Sequence, residues 1–209
     1  MLKVFLTDDH ALLREGLKRL LEKDHELVVA GESGKGQETL RWLGRNPCDL
    51  LILNLNLPDI DGLQVLQQVR QRHPNLPVLI LTMYMDNTMA TRLLKAGAAG
   101  YVTKTAPTEV IVAAIRRVAK GGHYLDPDLA ADMAEKISTG SPPLPHEQLS
   151  NREFTVLLKI SSGYSISEIA SMLHLAPSTV STYRTRVLEK MNKTSNAELV
   201  RYVIDHQLL

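Results

Sequence analysis

The chain has 209 residues, 44% of them hydrophobic, 22% charged and 4% aromatic, with a formal net charge of +1. This is the composition of an ordinary globular chain of one or two domains. It excludes a polybasic nucleic-acid binder but not a local basic face, and so few aromatics argue against recognition by stacking on single-stranded bases.

From residue 2 to about 120, short β-type runs alternate with helical patterns. The acids Asp8 and Asp9 come too early for a secretory leader. The densest apolar stretch, Leu50 to Leu57, is far short of a membrane span and is broken by Asn54 and Asn56. The single cysteine, Cys48, rules out an internal disulfide framework and fits a reducing compartment, so a cytoplasmic location is expected. No base accompanies Cys48, which reads as a core-edge residue rather than a nucleophile.

The strands are expected at Lys3–Thr7, Leu27–Gly31, Leu50–Leu53, Val78–Leu81 and Gly100–Thr103. Helical stripes lie between them: Leu13, Leu17, Leu20 and Leu21, then Leu63, Leu66 and Val69, then Met89, Leu93 and Leu94. A last one, Val110, Ala113, Ala114 and Val118, follows Pro107, which suits a first helical turn. Five β–α units in a row imply a parallel sheet with helices on both faces. The central strands are apolar without alternation, as strands buried on both faces are.

Gly121-Gly122 ends this pattern. Asp126-Pro127 reads as the cap and first turn of a short helix, and residues 139–145 read as a linker. From Ser150 onward the chain is helical. Ser150 and Glu153 form a capping box before the apolar residues Val156, Leu157 and Ile160, and Gly163 fits a stop. Ser165–His174, Pro177–Met191 and Asn196–Asp205 follow. The first two are separated by only a few residues, which is helix-turn-helix spacing.

In a doubly wound sheet, sites form outside the carboxyl ends of the strands. Asp8 and Asp9, Asn54, Thr82 and Lys104 all fall at such ends. Singly, an acid pair is more often a helix cap, a lysine a solvated side chain, and a threonine a strand-end hydroxyl. Jointly, acids with a lysine at one switch point suit a divalent metal and a phosphoryl group.

Thr7-Asp8-Asp9-His10, the run Asn54 to Gly62, Leu81-Thr82 and Gly100 to Lys104 together resemble the CheY-like receiver domain, over about residues 2–120. The resemblance implies that Asp9 ligates Mg²⁺, that Asp8 helps hold it, and that the carbonyl of Asn56 is a third ligand. It implies that Lys104 pairs with the phosphoryl group, that Thr82 hydrogen-bonds to it, and that Tyr101 changes rotamer with it. Position 54 is where the family carries its phospho-acceptor aspartate, four residues before Pro58. An amide oxygen is neutral and a poor nucleophile for phosphohistidine. Asn54 also removes a charge from the metal site, so weaker Mg²⁺ binding is expected. It reads either as a substitution that freezes the unphosphorylated state or as a naturally divergent, phosphorylation-independent receiver. The retention of Asp8, Asp9, Thr82 and Lys104 favours the first.

Leu149 to Glu153, Gly163 to Ala170, Leu173 and Ser178 to Met191 resemble the LuxR-type helix-turn-helix, over roughly residues 148–209. With the receiver, this points to the NarL/FixJ family of response regulators. Between Ala176 and Lys193, Arg184, Arg186, Lys190 and Lys193 stand against Glu189, a net +3. In isolation that is an ordinary solvated amphipathic helix. Beside a neighbouring helix at turn spacing it fits major-groove insertion. The candidate DNA-contacting residues are Thr179, Ser181, Thr182, Arg184, Thr185, Arg186, Lys190 and Lys193. Relatives often carry Lys where Ser181 stands and a capping Ser where Ala176 stands, so fewer phosphate contacts are expected.

The expected architecture is therefore α/β plus all-α. A doubly wound, five-stranded parallel receiver spans 1–120, a linker with a short helix spans 121–147, and a four-helix helix-turn-helix domain spans 148–209. The implied partners are double-stranded DNA, a sensor histidine kinase, RNA polymerase and a second copy on DNA, with no membrane. No catalytic residue is assigned. A phosphatase built on the same sheet would need a substrate-shaping insertion, and the βα connections are short.

Overall fold

Runs such as Leu50–Leu53 and Val78–Thr82, buried at every position, can only be strands covered on both faces. The computed structural model of the chain, which describes residues 1–83, 87–139, 144–173, 175–206 and 208, places them at the centre of a five-stranded parallel sheet. Its strands are β1 (Leu2–Thr7), β2 (Leu27–Ser33), β3 (Leu50–Leu53), β4 (Val78–Thr82) and β5 (Gly100–Thr103), in the order β2-β1-β3-β4-β5. The expected strands appear in place, three of them one or two residues longer at an end.

Side chains alternate across the sheet. Val4, Leu6, Leu50, Ile52, Leu79, Leu81 and Val102 join Leu17 and Leu21 of α1 (Ala11–Leu21) and Ile111, Ala114, Ile115 and Val118 of α5 (Thr108–Ala119) in one core. On the other face Phe5 packs on Trp42 of α2 (Gly36–Leu43), with ring centroids 4.4 Å apart. There α2 lies against α3 (Gly62–Arg72), whose Val65, Leu66 and Val69 are fully buried. Between β4 and β5 runs α4 (Asn87–Lys95).

The chain divides into two compact units, Met1–Asp132 and Met133–Leu209. The segment just past α5 stays with the first unit because Tyr124 exchanges backbone hydrogen bonds with Ala99 and Tyr101 beside β5. Asp126 Oδ1 then accepts from the Asp128 N–H at the start of α6 (Pro127–Thr139). Residues 140–143 of the expected linker, and His174 at the end of an expected helix, lie outside the described residues.

The second unit takes in the end of α6 and continues with a 3₁₀ turn, Pro145–Gln148, and then α7 (Asn151–Ser161), α8 (Ile166–Leu173), α9 (Pro177–Lys190) and α10 (Asn196–Asp205). The Ser150–Glu153 capping box forms in both directions, and Gly163 takes φ +88° to stop the chain after α7. Val156, Ile160, Ile169, Ala170, Leu173 and Val180 make its core. His146 is buried, its Nδ1 2.8 Å from the Tyr202 hydroxyl, and Tyr202 stacks on His206. No described helix is long and apolar enough to cross a membrane.

Candidate functional site

In the order β2-β1-β3 the chain steps to opposite sides of β1, which opens a crevice at the carboxyl ends of β1 and β3. Parallel register sets Thr7 beside Leu53, and the Asn54 N–H donates to the Thr7 carbonyl at 2.8 Å. The residues that follow each strand therefore meet. Lys104 arrives the same way from β5, its N–H donating to the Thr82 carbonyl at 2.6 Å.

Asp8 is buried, and its two oxygens have different tasks. Oδ1 accepts the His10 N–H at 2.9 Å, while Oδ2 lies 2.6 Å from Nζ of Lys104, whose side chain is covered. That ion pair lies off hydrogen-bonding geometry, so the ammonium protons of Lys104 stay unspent among the described residues. Asp9 is more open, and its Oδ1 accepts from Asn54 Nδ2 at 2.8 Å and lies 2.9 Å from His10 Nδ1. The same Asn54 amide donates to the Asn56 carbonyl at 2.9 Å. Both partners can only accept, which fixes the amide nitrogen toward them.

The structure thus brings Asp8, Asp9, Asn54, the Asn56 carbonyl and Lys104 into one network. Thr82 and Tyr101 are both buried, at the end of β4 and within β5. Two members were not singled out in the sequence. His10 has an imidazole atom within 4.8 Å of oxygens of both acids. Arg14, one turn into α1, donates from Nη1 to the Asp8 carbonyl at 2.5 Å. Adjacency to the acid pair was the only sequence signal for His10, and Arg14 carried none.

Cys48 lies at the opposite end of the sheet, just before the amino end of β3. It borders a cavity of about 540 Å³ together with Asp49, His73 and Pro77. Burial pushes its thiol up to about 11, and its Sγ lies 3.1 Å from the Leu50 carbonyl. A thiol so held is a structural residue and not a nucleophile.

In the second unit α9 packs against α7 and α8. Its buried residues Val180 and Val187, with Met191 just past its end, define the inner face. The outer face carries Ser178, Ser181, Thr182, Thr185 and Arg186, all exposed, while Thr179 is half-buried. The hydroxyls of Thr182 and Thr185 donate back to the carbonyls of Ser178 and Ser181, at 3.0 and 3.1 Å. Arg186 has no ion-pair partner among the described residues.

The other three basic candidates have partners inside the unit. Lys190 Nζ lies 2.7 Å from Oε2 of the buried Glu153. Arg184 Nε donates to Asn196 Oδ1 at 2.7 Å. Lys193 Nζ stands 5.7 Å from the centre of the Tyr202 ring. Nothing in the local sequence names these partners, which sit up to 37 residues away.

Comparison with known proteins agrees with both halves. Response regulator receiver domains match residues 4–116, and bacterial regulatory proteins of the luxR family match residues 147–203. The chain is 34% identical to the response regulator UvrY of Escherichia coli (strain K12), over all of this chain and 96% of that protein. It is also 34% identical to the response regulator GacA of Pseudomonas aeruginosa, over all of this chain and 98% of that one. Among solved structures it resembles RcsB from Salmonella enterica serovar Typhimurium bound to promoter DNA, with a TM-score of 0.75 at 24% identity, over 97% of this chain and 98% of that chain. Receiver domains generally bind Mg²⁺ through acidic residues, and Asp8, Asp9 and His10 form a group of that kind.

Proposed function

The chain belongs to the two-component response regulators that join a receiver to a LuxR-type DNA-binding domain, and from that premise we propose a transcription regulator whose phosphate switch is disabled at residue 54. In this reading it works in the cytoplasm and binds double-stranded DNA as a homodimer, with two copies of α9 reading two half-sites. Ser181, Thr182, Thr185 and Arg186 face the groove. RNA polymerase and a sensor histidine kinase are its further partners.

The observation that carries the disabled switch is the Asn54 amide itself. It sits where the acceptor carboxylate belongs and directs N–H groups at Asp9 and the Asn56 carbonyl. Residue 54 offers no carboxylate oxygen to form an acyl phosphate. Thr82, Tyr101 and Lys104 retain the positions of the phosphoryl-responsive residues. Asp8, Asp9, Asn54 and the Asn56 carbonyl stand at the positions of the metal ligands, where the lost charge disfavours Mg²⁺. The retention of Asp8, Asp9, Thr82 and Lys104 beside it favours a phosphate switch frozen at this one residue over a receiver that operates without phosphate.

Two measurements test this. The full chain should bind duplex DNA with an affinity that falls as salt rises; no affinity for any duplex overturns the reading. Asn54→Asp, offered a small phosphoryl donor, should gain one covalent phosphate and bind DNA more tightly, while the unaltered chain gains none. Neither phosphate nor a change in affinity in the variant would remove the phosphorelay ancestry from the proposal and leave a constitutive regulator.

A further inference from the structure

The site expected to hold Mg²⁺ does not fit the ion as its residues stand. Mg²⁺ takes oxygen ligands in a near-octahedral shell at about 2.0–2.1 Å. Most of the protein oxygens expected to serve it are already engaged. Asp8 Oδ2 faces Lys104 Nζ at 2.6 Å and Asp8 Oδ1 accepts the His10 N–H. Asp9 Oδ1 accepts from Asn54 and faces His10 Nδ1, and the Asn56 carbonyl accepts from Asn54. An amide N–H group has no lone pair to offer a cation. It points at the same two oxygens that a metal would draw together.

From this geometry we infer that the Asn54 carboxamide is a built-in replacement for the divalent cation, which holds the Asp9 and Asn56 loops in one arrangement without metal. This rests on the receiver reading and specifies how its pocket is regulated. In an ordinary acidic pocket three carboxylates converge, and they repel one another until a cation binds. Here one of the three is neutral and donates, so the repulsion is already relieved. Turning the amide over to present Oδ1 to a cation gives up both hydrogen bonds. It also sets that oxygen against the Asp9 carboxylate and the Asn56 carbonyl. The pocket is therefore indifferent to Mg²⁺, and the receiver stays in a single state whatever the metal or phosphoryl supply.

The test is thermal unfolding of the full chain with EDTA and with saturating magnesium chloride, for the unaltered chain, Asn54→Asp and Asn54→Ala. The unaltered chain should melt at the same temperature in both. Asn54→Asp should melt lower in EDTA and rise with magnesium by about 5 °C. Asn54→Ala, which loses both hydrogen bonds without adding a charge, should melt lower than the unaltered chain in EDTA and bracket the variant should Asn54→Asp not fold. A magnesium-dependent rise in the unaltered chain, or equal stability of the unaltered chain and Asn54→Ala in EDTA, overturns the inference. Duplex affinity is read separately, so a failure of DNA binding is told apart from a failure of the metal replacement.

Discussion

Lys190 of α9 and Glu153 of α7 meet at 2.7 Å, with the carboxylate buried and the ammonium partly open to solvent. Glu153 Oε2 also accepts the Ser150 N–H at 2.7 Å. One side chain thus closes the cap of α7 and fastens the exposed helix to it. A residue that reads as a phosphate contact is engaged in holding the DNA-binding unit together.

Lys190→Met should lower stability by about 1–2 kcal/mol, because it leaves a buried carboxylate with only its cap partners. Thermal unfolding measures this. The salt dependence of DNA affinity should be nearly unchanged, and a slope reduced by a full unit would show that Lys190 binds phosphate after all.

Arg186→Ala should behave in the opposite way. Arg186 lies on the exposed face of α9 with no internal ion-pair partner among the described residues. Its loss should leave the melting temperature in place and lower the slope of log affinity against log salt by about one. An unaltered slope and affinity would place the DNA on another face.

The pH dependence of the first unit should depend on Asp24. The Glu26 N–H and then the Arg116 guanidinium, outweighing burial, hold its carboxyl below the ordinary 3.8. A depressed folded value contributes stability that is complete above the unfolded value and is lost as pH falls through the folded one. Stability should therefore fall as pH drops below about 4. In Asp24→Asn that part of the fall should be missing from a urea-unfolding series, and identical slopes for the two proteins would refute it.

Gly62→Ala should disturb the pocket without altering any polar side chain. A Cβ at Gly62 would stand 2.5 Å from Leu55 Cα and 2.6 Å from the Asn54 carbonyl oxygen. Backbone must move to admit it, at a cost of about 1–3 kcal/mol. The Asn54 side-chain amide resonances should shift in the variant; an unchanged spectrum and melting curve would show that the loop yields freely.

The helical stripes, the buried strand runs, the Ser150–Glu153 box and the Gly163 stop are all local, and each was legible in the sequence. The pocket was legible in part. Asp8, Asp9, Asn54 and Lys104 could be assigned to strand ends, and the switch-point rule for parallel sheets then places strand ends together. Arg14 could not be found this way, because a helix arginine donating to a carbonyl six residues back leaves no pattern.

By itself the sequence determined the two kinds of unit, the parallel sheet, the helix-turn-helix spacing and the amide rather than carboxylate at residue 54. These follow from periodicity, caps and residue identity, which short-range forces set. The tertiary structure alone decided what the polar groups face. It turned the Asn54 amide onto Asp9 and Asn56, and it drew Lys190 onto Glu153 and Arg184 onto Asn196. A polar side chain takes the partner that satisfies it once water is excluded, and that partner is set by how distant segments pack.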